Sequence, residues 1–186
     1  LSYEIGNPYE AVTKVLTKFL ETYPKSQHKQ ELISFLLSSY TSSGNYDEVI
    51  DLLSSQNDYK DDRLLQKVTF LKGIQLFSSG EYQKAKTYFQ KSINNNQNNK
   101  ITAQSYFWKG QSDYELNDFN ESLNSFREFE KKSPSKQLYE KLQYHYNLGY
   151  TLFKIKNYSL SLKAFEKVVQ KQNLYSNSKI RDAFLR

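Results

Sequence analysis

Apolar residues in this chain recur every three and four positions, the spacing that places side chains along one face of a helix. Phe70, Gly73, Ile74 and Phe77 follow this rhythm, and Tyr82, Ala85, Phe89 and Ser92 repeat it after a short break. The break is Ser79-Gly80, and Ser43-Gly44, Asn117-Asp118 and Lys156-Asn157 hold corresponding places elsewhere. Glycine and asparagine tolerate the left-handed conformation that ends a helix, so each segment is predicted to be two helices joined by a tight turn.

The hairpins repeat. Tyr9, Tyr46, Tyr82, Phe119 and Tyr158 each open a helical pattern, at intervals of 37, 36, 37 and 39 residues. A period in the thirties marks stacked units that bury their apolar faces against their neighbours. Three further positions keep step with the aromatic. Gly73, Gly110 and Gly149 lie nine residues before it; Ala85, Ser122 and Ser161 three after it; Phe89, Phe126 and Phe165 seven after it. Two helices that cross closely need small residues at the crossing and a large ring beside it, and this set supplies both.

The pattern resembles the tetratricopeptide repeat family, best in Gly73-Ile74-Gln75-Leu76-Phe77, Gly80-Glu81-Tyr82-Gln83-Lys84-Ala85 and Phe89. Pro24 and Pro134 stand where that family ends its second helix. The resemblance implies an all-α, right-handed solenoid of stacked helical hairpins over residues 1–186. The units run over 1–26 (a second helix only, from about Pro8 to Tyr23), 30–63, 66–99, 103–136 and 142–175, and 176–186 begins a further helix. In the early units Leu37 replaces the glycine and Val49 the alanine, and Val12 and Leu16 also depart, so the crossing is expected to be wider there. The excess of the period over the family's usual length falls between units, widest at Gln137 to Lys141, and should lengthen a first helix or the loop before it. Asn94 to Asn99, with no apolar residue, reads as an exposed turn between units. A start at Leu1 and the absence of methionine suggest that both ends are cut from a longer array.

By the same resemblance, first helices line a concave face that takes a peptide segment or another protein. This assigns partner-binding places to Phe70, Ile74, Gln104, Phe107, Trp108, Gln111, Asn147, Tyr150 and Lys154, with Leu71, Tyr114, Gln143 and Tyr146 beside them. Aromatic rings offer contact area at small entropic cost, and amides can bond a peptide backbone. Phe70, Phe107 and Tyr146 have an alternative role in packing against the adjacent helix. The Lys and Asn set with which some family members clamp a terminal carboxylate is not reproduced, because Phe70, Ile74 and Phe107 occupy its places. A segment at Phe19 to Ser26 is similar to repeat ends of bacterial periplasmic and outer-membrane assembly proteins, which implies a place in a multiprotein envelope assembly. The alternative is a structural module that associates with copies of itself.

Composition narrows the chemistry. The net charge is +6, but the lysines are scattered through all units and interleaved with Glu and Asp. A nucleic-acid groove would gather them on one face, so they read as solvated surface and a nucleic-acid-binding repeat is the lesser alternative. With no cysteine there is no thiolate nucleophile, disulfide or Cys-based metal site. No Gly-rich phosphate loop, HExxH helix or GxSxG turn occurs, His28 and His145 lie far apart, and His145 takes a packing position. Asp61-Asp62 and the pair Glu128 and Glu130 do not face each other on a helix and read as solvated charges. The reading is therefore non-enzymatic, with no cofactor or metal. No apolar run reaches the roughly 18 residues of a membrane helix, and no secretory signal is visible.

Overall fold

A computed structural model describes residues 8–55, 60–133, 139–170 and 176–185, and among these all regular structure is helical. The order is α1 (Pro8–Thr22), α2 (Lys29–Ser42), α3 (Tyr46–Ser55), α4 (Asp62–Ser78), α5 (Tyr82–Asn95), α6 (Asn99–Glu115), α7 (Phe119–Lys132), α8 (Tyr139–Lys154), α9 (Tyr158–Gln170) and α10 (Asn177–Phe184). Helices α2 to α9 form four hairpins, each second helix packing on its own first helix and on the first helix of the next unit. First helices also touch one another, α4 on α6 and α6 on α8, so they share one face of the stack. The protein is a solenoid of helical hairpins.

The matched positions explain why the last three hairpins close tightly. Phe89, Phe126 and Phe165 are at most 1% exposed, and each lies against the glycine of its own unit. A Cβ on Gly73 would sit 2.6 Å from the Phe89 ring, one on Gly149 2.7 Å from Phe165, and one on Gly110 3.0 Å from Phe126. At Gly73 and Gly149 only a residue without a side chain lets the ring in. Burying each phenylalanine contributes about 1.5–3 kcal/mol. Ala85, Ser122 and Ser161 are buried beside it, and the Ser161 hydroxyl donates to the Gly149 carbonyl at 2.8 Å.

The turns inside the hairpins share one geometry. Gly44, Gly80, Asn117 and Lys156 all have positive φ, 77°, 77°, 63° and 62°, and each stands two residues before the aromatic that opens the second helix. At Gly80 the amide donates to the Phe77 carbonyl at 3.0 Å and the Glu81 amide to Leu76 at 2.9 Å, the paired bonds that satisfy the end of α4. Asn117 with Asp118, and Lys156 with Asn157, repeat both bonds. In the last turn the left-handed residue is Lys156, not its asparagine neighbour: the register set by the flanking helices outweighs residue preference.

The first helices are longer than the second ones. α4 and α6 have 17 residues and α8 has 16, against 14, 14 and 13 for their partners α5, α7 and α9. Asp61 and Asn98 cap α4 and α6, accepting from the Leu64 amide at 2.9 Å and from the Lys100 amide at 2.9 Å. Pro24 lies two residues past the end of α1, while Pro134 lies outside the described residues.

The Asn-rich turn is exposed in its side chains but not independent of the interior. Gln66 on α4 is fully buried, and its carbonyl oxygen accepts from the backbone amides of Gln97 at 3.0 Å and Asn98 at 2.7 Å. Its amide nitrogen donates to the Thr102 hydroxyl at 2.9 Å and the Ser92 carbonyl at 3.2 Å. One side chain thereby joins α4, the end of α5 and the start of α6, with its own buried polar atoms satisfied.

Candidate functional site

Where α6 meets α8 on the shared face of the first helices, a cleft of about 220 Å³ opens between Gln111, Tyr114 and Glu115 on one side and Tyr146, Asn147 and Tyr150 on the other. The register is regular. Gln111 and Tyr150 each follow their unit's glycine by one residue, and Asn147 precedes its glycine by two. Positions three apart share a helix face, so Asn147 and Tyr150 project from the same side of α8.

Of the residues three before each glycine, Phe70 and Phe107 pack on the hairpin's own ring, whereas Tyr146 also lines the cleft. Phe107 is 2% exposed, with its ring 5.7 Å from Phe126 and 5.3 Å from Phe129. It is a core residue and lines no groove, which corrects the expectation that it meets a partner. Phe70 is half-buried and packs 6.0 Å from Phe89, and Ile74 and Trp108 belong to the same apolar cluster. Trp108 stands edge-on to Phe77 at 5.2 Å and to Phe107 at 5.6 Å, half-buried between α4 and α6. Gln104 is half-buried on α6, seven residues before Gln111. Lys154 is exposed at the end of α8, its ammonium 5.8 Å from the Phe119 ring, away from the cleft. The structure thus brings Gln111, Asn147 and Tyr150 together and leaves Phe70, Ile74, Gln104, Trp108 and Lys154 outside that cleft.

The tyrosines of the cleft are held from behind. The hydroxyls of Tyr146, at 3.0 Å, and Tyr150 both donate to Asp182 Oδ2 on α10. Burial, together with the bonds to Tyr150 and Asp182, pushes the Tyr146 phenol well above its ordinary range, so it stays a neutral donor. The Tyr146 and Tyr150 rings meet edge-on at 5.1 Å, and Tyr150 stands 5.2 Å from Phe165. Lys179, also on α10, donates to Gln143 Oε1 and lies 4.9 Å over the Tyr146 ring; burial lowers its pKa. The cleft thus combines fixed aromatic walls with two amides. Sequence reasoning did not reach Glu115 or Asp182. Glu115 was signalled by its position four residues after Gln111, whereas Asp182 lies 32 residues from Tyr150 with no local sign of the contact.

His145, half-buried on α8, packs its ring 5.1 Å from Tyr144, as befits a packing position. Among the described residues no group of three His, Asp or Glu side chains gathers as a metal site, and no described helix is long and apolar enough to cross a membrane.

A register of glycine, small residue and phenylalanine on paired helices defines a helical-repeat protein. The tetratricopeptide repeat family model matches residues 70–99 and 142–170, so these two segments are tetratricopeptide repeats. No curated protein matches the sequence. Among solved structures, a crystal structure of MamA is 16% identical with a TM-score of 0.56, covering 93% of this chain and 97% of that one. A further MamA crystal structure is 16% identical with a TM-score of 0.55, over 89% and 83% of the two chains. MamA from residue 41 to its end, from Desulfovibrio magneticus RS-1, is 12% identical with a TM-score of 0.52, over 91% and 98%. At these identities the likeness shows the fold, a solenoid of helical hairpins.

Proposed function

We propose that the protein is a docking scaffold that binds an extended peptide segment of a partner in the cleft between α6 and α8. Tetratricopeptide repeats support protein–protein interaction as the general role. The observation that carries the finer reading is the convergence of Gln111, Asn147, Tyr146 and Tyr150 on one cleft, with both phenols anchored by Asp182. Amides that lose little freedom on binding can pair with a peptide backbone, and rings already held in place add contact area without an ordering cost. Trp108, Ile74 and Gln104 extend the same face toward α4. A place in an envelope assembly rests on the Phe19 to Ser26 segment alone.

An array of extended peptides of varied sequence tests this. Peptides retained by the protein should lose about tenfold in affinity when Gln111→Ala and Asn147→Ala are combined, with the helical circular-dichroism signal unchanged. Retained peptides that bind the double variant equally well would refute the choice of cleft. The exposed Val15 and Phe35 on α1 and α2 favour a second reading, association between copies. Light scattering over a concentration series separates the two, since only the second requires growth in mass.

A further inference from the structure

At two successive junctions between units four side chains meet at equivalent places. They are the fourth residue after the aromatic in one second helix, the residues one before and three after the next glycine, and the sixth after the next aromatic. Between the third and fourth units these are Lys86, Lys109, Asp113 and Ser125. Asp113 is fully buried, with Lys86 Nζ 2.5 Å from Oδ1, Lys109 Nζ 3.1 Å from Oδ2 and the Ser125 hydroxyl donating to Oδ2 at 3.3 Å. Burial works against the charge of Lys86, but the carboxylates of Asp113 and Asp118 hold its pKa above the ordinary lysine value. This junction is closed by its own ion pairs.

One unit further on, the same four places hold Leu123, Leu148, Leu152 and Ala164, a single apolar cluster. Here the junction opens as a cleft of about 270 Å³ between α7, α8 and α9. Leu160 stands at its edge, 41% exposed, where the two preceding units carry Lys84 and Glu121. The edge is also cationic, with Arg127, Lys163 and Lys167 all exposed. Among the described residues no carboxylate pairs with Lys163 or Lys167, and Glu130 at the same edge already accepts from the Tyr144 hydroxyl at 2.8 Å. This cleft shares no lining residue with the one between α6 and α8.

We propose that the cleft between α7, α8 and α9 docks an acidic amphipathic helix of a partner protein, its leucine-type side chains on the apolar floor and its carboxylates against Lys163, Lys167 and Arg127. Charge complementarity selects the occupant: an apolar trough edged by cations favours a helix whose polar flanks are anionic over a neutral or basic one.

Fluorescence anisotropy with a synthetic helical peptide tests the assignment, the peptide carrying leucines at three- and four-residue spacing flanked by glutamates. Its twin carries lysines in place of the glutamates. The glutamate peptide should bind with an affinity that falls as salt rises, and the lysine twin should not. Leu160→Glu should weaken binding about tenfold, and Lys163→Glu combined with Lys167→Glu should reverse the preference between the peptides. All three positions are exposed, so circular dichroism should find these variants folded, and Gln111→Ala in the other cleft should leave binding unchanged.

Absence of binding, equal binding of the twins, or affinity untouched by both variants would overturn the proposal. Concentration-dependent mass in sedimentation that Leu160→Glu abolishes would assign the cleft to a second copy and overturn it equally. So would a thermal midpoint that Leu160→Glu lowers far beyond a surface effect, because the chain's own residues would then already fill the cleft.

Discussion

The hairpin of α2 and α3 and the three hairpins after it solve the same crossing with opposite volumes. In the later hairpins a glycine yields its place to a phenylalanine ring. In the earlier one Leu37 and Val49 stand at the glycine and small-residue positions and Leu53 at the ring position, all at most 5% exposed. The side-chain bulk has moved from the second helix to the first, and α2 and α3 pack over a shorter stretch than α4 and α5. What the repeat specifies is a filled crossing, not a particular residue at each place. The tetratricopeptide repeat match covers two of the three glycine-bearing hairpins and does not reach this earlier one.

Exchanging volume at the crossing tests this directly. Leu37→Ala should cost about 2–5 kcal/mol in urea denaturation, because the neighbouring Val49 and Leu53 cannot fill the cavity. Tolerance of that change would mean that the first hairpin closes by other contacts. The glycines should respond in the opposite sense to added volume. Gly73→Ala and Gly149→Ala should each cost up to about 2 kcal/mol net, a clash of roughly 1–3 kcal/mol against about 1 kcal/mol gained in helix propensity. Gly110→Ala, with the largest separation from its ring, should lie close to neutral by the same measurement. Equal effects at the three glycines would break the link between ring distance and stability.

Smaller effects sharpen the contrast. Gln66→Ala strands the amides of Gln97 and Asn98 and should lower stability by about 1–3 kcal/mol, although it touches no crossing. Substituting Gln97 itself, whose exposed side chain bonds only locally, should change the thermal midpoint little. Lys156→Gly should stabilise by about 0.5–1 kcal/mol, since a lysine there holds a left-handed backbone that glycine adopts freely. A loss of stability on that change would show that the Lys156 side chain contributes more than its backbone strain removes.

The repeat frame was legible because it is written in local spacing: glycine, small residue and phenylalanine fall on faces that a helix of 3.6 residues per turn fixes. The turns were legible for the same reason, except that register and not composition placed Lys156 in the left-handed conformation. Contacts between units were not. Gln66 bonds partners 26 to 36 residues away, and Asp182 holds tyrosines 32 and 36 residues away, with no local pattern to announce either. The face assignment failed at Phe107 because a stripe three residues before the glycine looks equally apolar whether it meets a groove or the partner helix. Gln111 and Asn147 were separable from it, since their polarity has no place against a buried ring.

Stacked hairpins that touch only their neighbours can in principle detach one at a time, beginning at either end. Gln66 sits where such peeling from the α2 side would have to pass, and releasing α4 means breaking bonds rooted in α5 and α6 at once. Amide hydrogen exchange should therefore change in a step between α3 and α4 instead of a gradual slope, with the chain from α4 onward opening as one block.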